Sequence, residues 1–127
     1  MLIRRRLSRE FQTRGHQVTF EQWQVLSVLL EHPGIIQNEL GERTSKDKTN
    51  ITRILDVLAR RGYLERRRHD GDRRSQHIYL TDAGAGTAAE LKTISASLET
   101  DLRSGMSGRV LRFFFAVLDR LCRNAER

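Results

Sequence analysis

Apolar positions recur with a helical period along most of the chain and switch to a period of two only once, between Tyr63 and Leu80. Ile3, Leu7 and Phe11, four apart, mark one stripe of a helix over residues 1–14 that starts abruptly and stops at Gly15. Thr19 with Gln22 forms a capping box, and Val18 with Trp23 a hydrophobic staple, so a second helix is expected from Phe20. Its buried face is expected at Phe20, Trp23, Leu26 and Leu30, and its end at His32, Pro33 and Gly34. A short helix from about Ile36 to Arg43, with Leu40 inward, leads into the polar turn Thr44, Ser45, Lys46. The next helix, from about Asp47 to Arg61, carries Ile51, Ile54, Leu55 and Leu58 on one face, with Gly62 placed for a left-handed cap. At about 100° per residue the opposite face presents Thr49, Arg53, Asp56 and Arg60, flanked by Asn50 and Thr52.

In the period-two segment Leu64, Arg66 and Arg68 alternate with Glu65 and Arg67, and Ile78 and Leu80 with His77 and Tyr79. The intervening HDGDRRS reads as a turn, which makes a two-stranded ribbon with a basic tip. Thr81 then caps a long helix bearing Leu91, Ile94, Leu98 and Leu102, which ends before Gly105. Ser107 caps a last helix whose stripe of Val110, Leu111, Phe114, Val117, Leu118 and Leu121 is widened by Phe113 and Phe115. The expected fold is therefore mainly α with a small two- to three-stranded β-wing. Residues 19–82 form a winged helix-turn-helix lobe within a single domain, 1–127, completed by helices over 1–14 and 83–127.

Composition narrows what this fold does. The chain has 127 residues, 38% hydrophobic and 31% charged, the size of one domain. No apolar run approaches the roughly 18 residues of a membrane span. Arginines occupy the N-terminal positions where an export signal needs apolar residues, so a cytoplasmic protein with no membrane partner is expected. The single Cys122 excludes an internal disulfide framework and a cysteine zinc site, and reads as a buried, inert thiol on an amphipathic helix. His16, His32, His69 and His77 are scattered, so no metal is expected. Asp70 and Asp72 sit among arginines and read as their orienting partners rather than as a catalytic pair. With no nucleophile constellation and no phosphate-binding glycine loop, neither an enzyme nor a cofactor is expected. Arg4, Arg5 and Arg6 read as the solvated face of the first helix.

The net charge is +7, and it is concentrated: Arg43 to Tyr79 holds 11 Lys or Arg against 5 Asp or Glu, while the rest of the chain is nearly balanced. A basic surface gathered beside a helix-turn-helix points to duplex DNA. The major groove admits one helix, and its base edges are read by side chains such as Arg, Asn and Thr. The expected readers on this helix are Arg53, with Thr49, Asn50 and Thr52 beside it, while Lys48 at its start is placed for phosphate. Thr44, Ser45 and Lys46 are placed for backbone phosphates, and Arg73 and Arg74 at the hairpin tip for the neighbouring minor groove. A winged-helix protein-interaction module and a binder of structured RNA are the competing readings.

The stretch from Ser45 to Gly84 resembles the core of the MarR family of transcription regulators. The resemblance lies in Leu58 to Gly62 at the helix end, Asp70 to Arg74 in the wing, and the L-T-x-x-G of Leu80 to Gly84. It implies that Arg74 is the minor-groove arginine, Asp72 its orienting partner, and Asp47 a carboxylate at the recognition-helix start facing the wing. It also implies palindromic operators, repression relieved by a small-molecule effector, and terminal helices that interlock in a homodimer. Beside that family, the first helix is short. The dimer is expected through Ile3, Leu7, Phe11, Val110, Phe114, Val117 and Leu121. The apolar last helix supports a partner independently, since a lone winged domain has little use for such a face; the plain alternative is that it folds back on its own domain.

Overall fold

The structure, a computed structural model, describes residues 2–126, without the side chains of Asp72, Arg73 and Arg74. Its elements in chain order are α1 (Leu2–Thr13), α2 (Phe20–Glu31), β1 (Ile35–Ile36), α3 (Gln37–Arg43), α4 (Lys48–Arg60), β2 (Leu64–His69), β3 (Asp72–Leu80), α5 (Asp82–Leu102) and α6 (Gly108–Ala125). They gather into two units, Met1–Ala96 and Ser97–Arg127, and α5 runs across the boundary.

The first unit is a winged helix-turn-helix. Its start follows from local capping: the Thr19 hydroxyl accepts from the Gln22 amide at 3.2 Å, and Gln22 Oε1 accepts from the Thr19 amide at 3.1 Å. Satisfying two otherwise orphaned amides fixes where α2 begins. Trp23 and Leu26 are buried as expected, but Val25 and Leu29 are buried with them, while Phe20 and Leu30 are only half-buried. The inward face of α2 is thus rotated from the expected one, because α2 is covered from more than one side. Phe20 instead lies under the Arg4 guanidinium, 5.0 Å from its ring centre.

A three-stranded antiparallel sheet of order β1-β3-β2 follows. β1 pairs Ile35 with Ile78 and Ile36 with His77. Ile36, expected as the first helical residue, is strand and the N-cap of α3; a two-residue strand carries no period to read. The core of this unit includes Val25, Leu26, Leu40, Ile51, Leu55, Leu58, Ile78 and Leu91, all essentially inaccessible. Each such side chain contributes on the order of 1.5–3 kcal/mol by leaving water.

α1 corrects an expectation. Leu7 and Phe11, placed at a dimer surface, are 5% and 0% exposed within the chain itself, with Phe11 edge-on to Trp23 at 6.0 Å. Side chains already covered in the chain have no face to offer a partner. Their spacing signals burial, and a stripe does not say what covers it. Ile3, from the same stripe, remains exposed.

One junction explains the spaced glycines and threonine of the sequence. Thr81 Oγ1 donates to the Gly62 carbonyl at 2.6 Å and accepts from the Gly84 amide at 3.1 Å, while the Thr81 amide donates to the Tyr63 carbonyl at 3.1 Å. The end of α4, the entry to β2 and the start of α5 are thereby tied together. A Cβ on Gly84 would stand 1.8 Å from the Tyr63 carbonyl oxygen, so only glycine fits there.

In the second unit Ser107 Oγ accepts from the Val110 amide at 3.2 Å and starts α6. No residue of α6 is buried: Val110, Phe113, Phe114, Phe115, Val117, Leu118 and Leu121 are all exposed, Phe113 to 73%. Arg103, held by Glu99 at 2.5 Å, covers part of the Phe115 ring. Cys122, expected buried, is exposed, since its helix buries nothing within the chain.

Candidate nucleic-acid interface

The turn between α3 and α4 is built by backbone closure. The Lys46 amide donates to the Gly41 carbonyl at 2.9 Å and the Ser45 amide to that of Glu42 at 3.2 Å, with Ser45 at φ +54°. Asp47 then caps α4, its Oδ1 accepting from the Asn50 amide at 2.7 Å. With Ile51, Ile54, Leu55 and Leu58 buried, rotation about the helix axis turns Thr49, Arg53, Asp56 and Arg60 into solvent, as the period predicts. Asn50 and Thr52 lie half-buried on the flanks. Asn50 Oδ1 accepts from Arg53 Nη2 at 2.8 Å, which steadies the guanidinium over the exposed face.

Other expected contacts are committed elsewhere. Thr44, placed at phosphates, is buried, and its hydroxyl donates to the Leu40 carbonyl at 2.8 Å, closing the last turn of α3. Its side chain is not presented to a ligand, and the expectation for it is corrected. Lys46 Nζ donates to Gln24 Oε1 at 2.8 Å; burial, and next the Arg4 charge, lower its pKa from the ordinary lysine value. Ser45 and Lys48 are exposed. Thr52 Oγ1 donates to the Lys48 carbonyl at 2.7 Å and accepts from Gln37 Nε2 at 2.8 Å, so it joins α4 to α3.

The wing closes on a two-residue turn, Asp70 and Gly71, between the paired residues His69 and Asp72, with Gly71 at φ +90°. Its two faces differ. On the inner face Arg66 Nη2 donates to Asp56 Oδ1 at 2.7 Å and to the Thr52 carbonyl at 3.4 Å, while its Nε is buried with no hydrogen-bond partner among the described residues. Sequence reading did not single out this strut between wing and recognition helix, although alternation with buried Leu64 puts Arg66 on the inward side. On the outer face the His69 and His77 rings stack at 3.7 Å, His69 Nε2 is hydrogen-bonded to the Tyr79 hydroxyl at 2.9 Å, and Arg67 lies over the Tyr79 ring at 4.6 Å. Arg67 also pairs with Glu65. The side chains of Asp72, Arg73 and Arg74, the expected tip contacts, lie outside the described residues. Among the described residues the Asp47 carboxylate is seen only as a helix cap.

A helix with an uncommitted polar outer face, beside a ribbon of arginines, is the arrangement around which the comparisons with known proteins fall into place. The model of the MarR family matches residues 16–75, the whole helix-turn-helix and most of the wing. Residues 16–75 are thus a MarR-family winged helix-turn-helix. The HTH-type transcriptional regulator TtmR of Methylorubrum extorquens is 33% identical over 106 residues, covering 84% of this chain and 52% of TtmR. The transcriptional repressor MprA of Escherichia coli is 44% identical over 54 residues, 42% of this chain and 31% of MprA. The chain thus spans about half the length of TtmR and less than a third of MprA. Among solved structures, the MarR family transcription regulator SP03579 superposes with a TM-score of 0.88 at 26% identity, over 98% of this chain and 82% of its own. The PcaV regulator of Streptomyces coelicolor, solved with its natural ligand, gives 0.76 at 27% identity, over 97% and 91%. Among the described residues, no group of three or more His, Cys, Asp or Glu is arranged to hold a metal, and no helix is long and apolar enough to cross a membrane.

Proposed function

We propose that the chain is a cytoplasmic transcription regulator that binds palindromic duplex DNA as a homodimer, each subunit placing α4 in the major groove and its wing in the adjacent minor groove. The observation that carries the reading is that Thr49 and Arg53 stand exposed on α4 with no role in the packing of their own unit. Arg53 is the principal base reader, flanked by Asn50 and Thr49, with Thr52 supporting α4 from α3. Lys48 and Ser45 meet phosphates. Arg73 and Arg74, with Asp72 orienting, supply the minor-groove contact.

Repression is supported by MprA, which is named a transcriptional repressor. That a small-molecule effector relieves it is supported by PcaV, which was solved with a natural ligand. Ile3 and the apolar face of α6, through Val110, Phe114, Val117 and Leu121, supply the dimer contact. A two-fold protein matches a two-fold operator.

Selection of bound duplexes from a random library, followed by affinity against salt, tests the reading. A palindrome bound at least about 10³-fold tighter than random duplex, with affinity falling steeply as salt rises, is expected. Equal affinity for every duplex, or preference for structured RNA, contradicts it.

A further inference from the structure

Between α4 and the inner face of the wing lies a cleft of about 490 Å³. Among the described residues its lining contains the cations Lys48, Arg66 and Arg68 and a single carboxylate, Asp56, already bound to Arg66 at 2.7 Å. Asn38 and Gln76 supply neutral hydrogen-bonding groups. Among the described residues, Lys48 and Arg68 have no carboxylate partner, and both are exposed. Arg68 sits where the β2–β3 register shifts, between Arg67 and His69, and a bulge at that place re-aims a side chain.

The shape and charge of this cleft have one counterpart on a duplex. Adjacent major and minor grooves are separated by one sugar-phosphate strand, so a protein with a helix in one and a hairpin in the other must straddle that strand. We infer that the cleft between α4 and the wing seats the phosphodiester strand dividing the two grooves, with Arg68 as its principal phosphate contact, assisted by Lys48, Asn38 and Gln76. The inference rests on the DNA reading above and adds to it residues that carry register and affinity without reading bases. Because Asp56 neutralises Arg66, the strut holds the walls apart while Arg68 and Lys48 supply the free positive charge.

The test combines protein and DNA substitutions in the full chain. Arg68→Ala is expected to weaken the selected palindrome and random duplex by the same factor, about 5- to 10-fold, and to reduce the slope of log affinity against log salt by about 1 for each subunit engaged. A neutral methylphosphonate replacing the phosphate between the grooves is expected to weaken wild type by a similar factor and to have little further effect on Arg68→Ala. Lysine at position 68 should restore most of the slope. Melting temperatures of the variants, expected unchanged, separate this role from a structural one. Additive losses from Arg68→Ala and the methylphosphonate, or a loss confined to one base pair, overturn the inference. If wild type discriminates its palindrome while Arg68→Ala matches it in affinity and slope, this inference alone fails. If wild type does not discriminate, the DNA reading fails with it.

Discussion

Arg53 and Thr44 show how residues of one motif divide between reading and folding. Arg53 is exposed, with Asn50 as its hydrogen-bond partner, and a bidentate arginine contact to a base edge is worth about 1–3 kcal/mol of discrimination. Arg53→Ala should therefore relax preference at one base pair per half-site, whereas Lys48→Ala should weaken all duplexes alike; affinities across single-base operator variants check both. Thr44→Val should behave differently, because it deletes the hydroxyl that closes α3. It is expected to cost about 1 kcal/mol of stability and to leave base preference unchanged, as measured by denaturant melts and the same operator panel. The face carrying Arg53 was legible in the sequence because a 3.6-residue period fixes which side chains oppose a buried stripe. The fate of Thr44 was not, since whether a turn hydroxyl faces solvent or the preceding carbonyls depends on the backbone path, and Ser45 takes a left-handed conformation there.

Between elements, two joints hold the wing in place. The first is the meeting of Gly62, Thr81 and Gly84 at the Tyr63 carbonyl, where a methyl group has no room. Gly84→Ala should cost about 1–3 kcal/mol or more, since the clash is with backbone and not with a side chain that can turn aside; a lowered melting temperature checks it. The second is the Arg66 to Asp56 strut. With Asp56 about half exposed, Asp56→Asn should cost only about 1 kcal/mol of stability. Its effect on specific DNA affinity should be larger than that, because the strut sets the spacing of wing and α4. Helices, hairpin and caps were readable from spacing and turn residues. The β1 bridge and the strut were not, since a two-residue strand has no period and a contact between α4 and β2 depends on how the elements pack.

At the scale of the whole molecule, the surface that calls for a partner is α6, whose aromatic and aliphatic side chains are exposed among the described residues. The stripe of Leu7 and Phe11, expected at a dimer surface, lies in the chain's own core, whereas that of α6 is exposed, so sequence period alone could not tell the two cases apart. If α6 forms the proposed dimer, Phe114→Glu combined with Val117→Glu should convert it to monomer by sedimentation. It should also lower palindrome affinity by about 10²–10⁴-fold, because two linked half-sites become two separate encounters. The central claim is that the outer face of α4 and the wing meet a duplex, and amide chemical-shift mapping of the whole protein titrated with its selected palindrome tests it most directly. Perturbations centred on residues 45–53 and 66–76 are predicted. Perturbations centred on any other surface, with those residues unmoved, would contradict it.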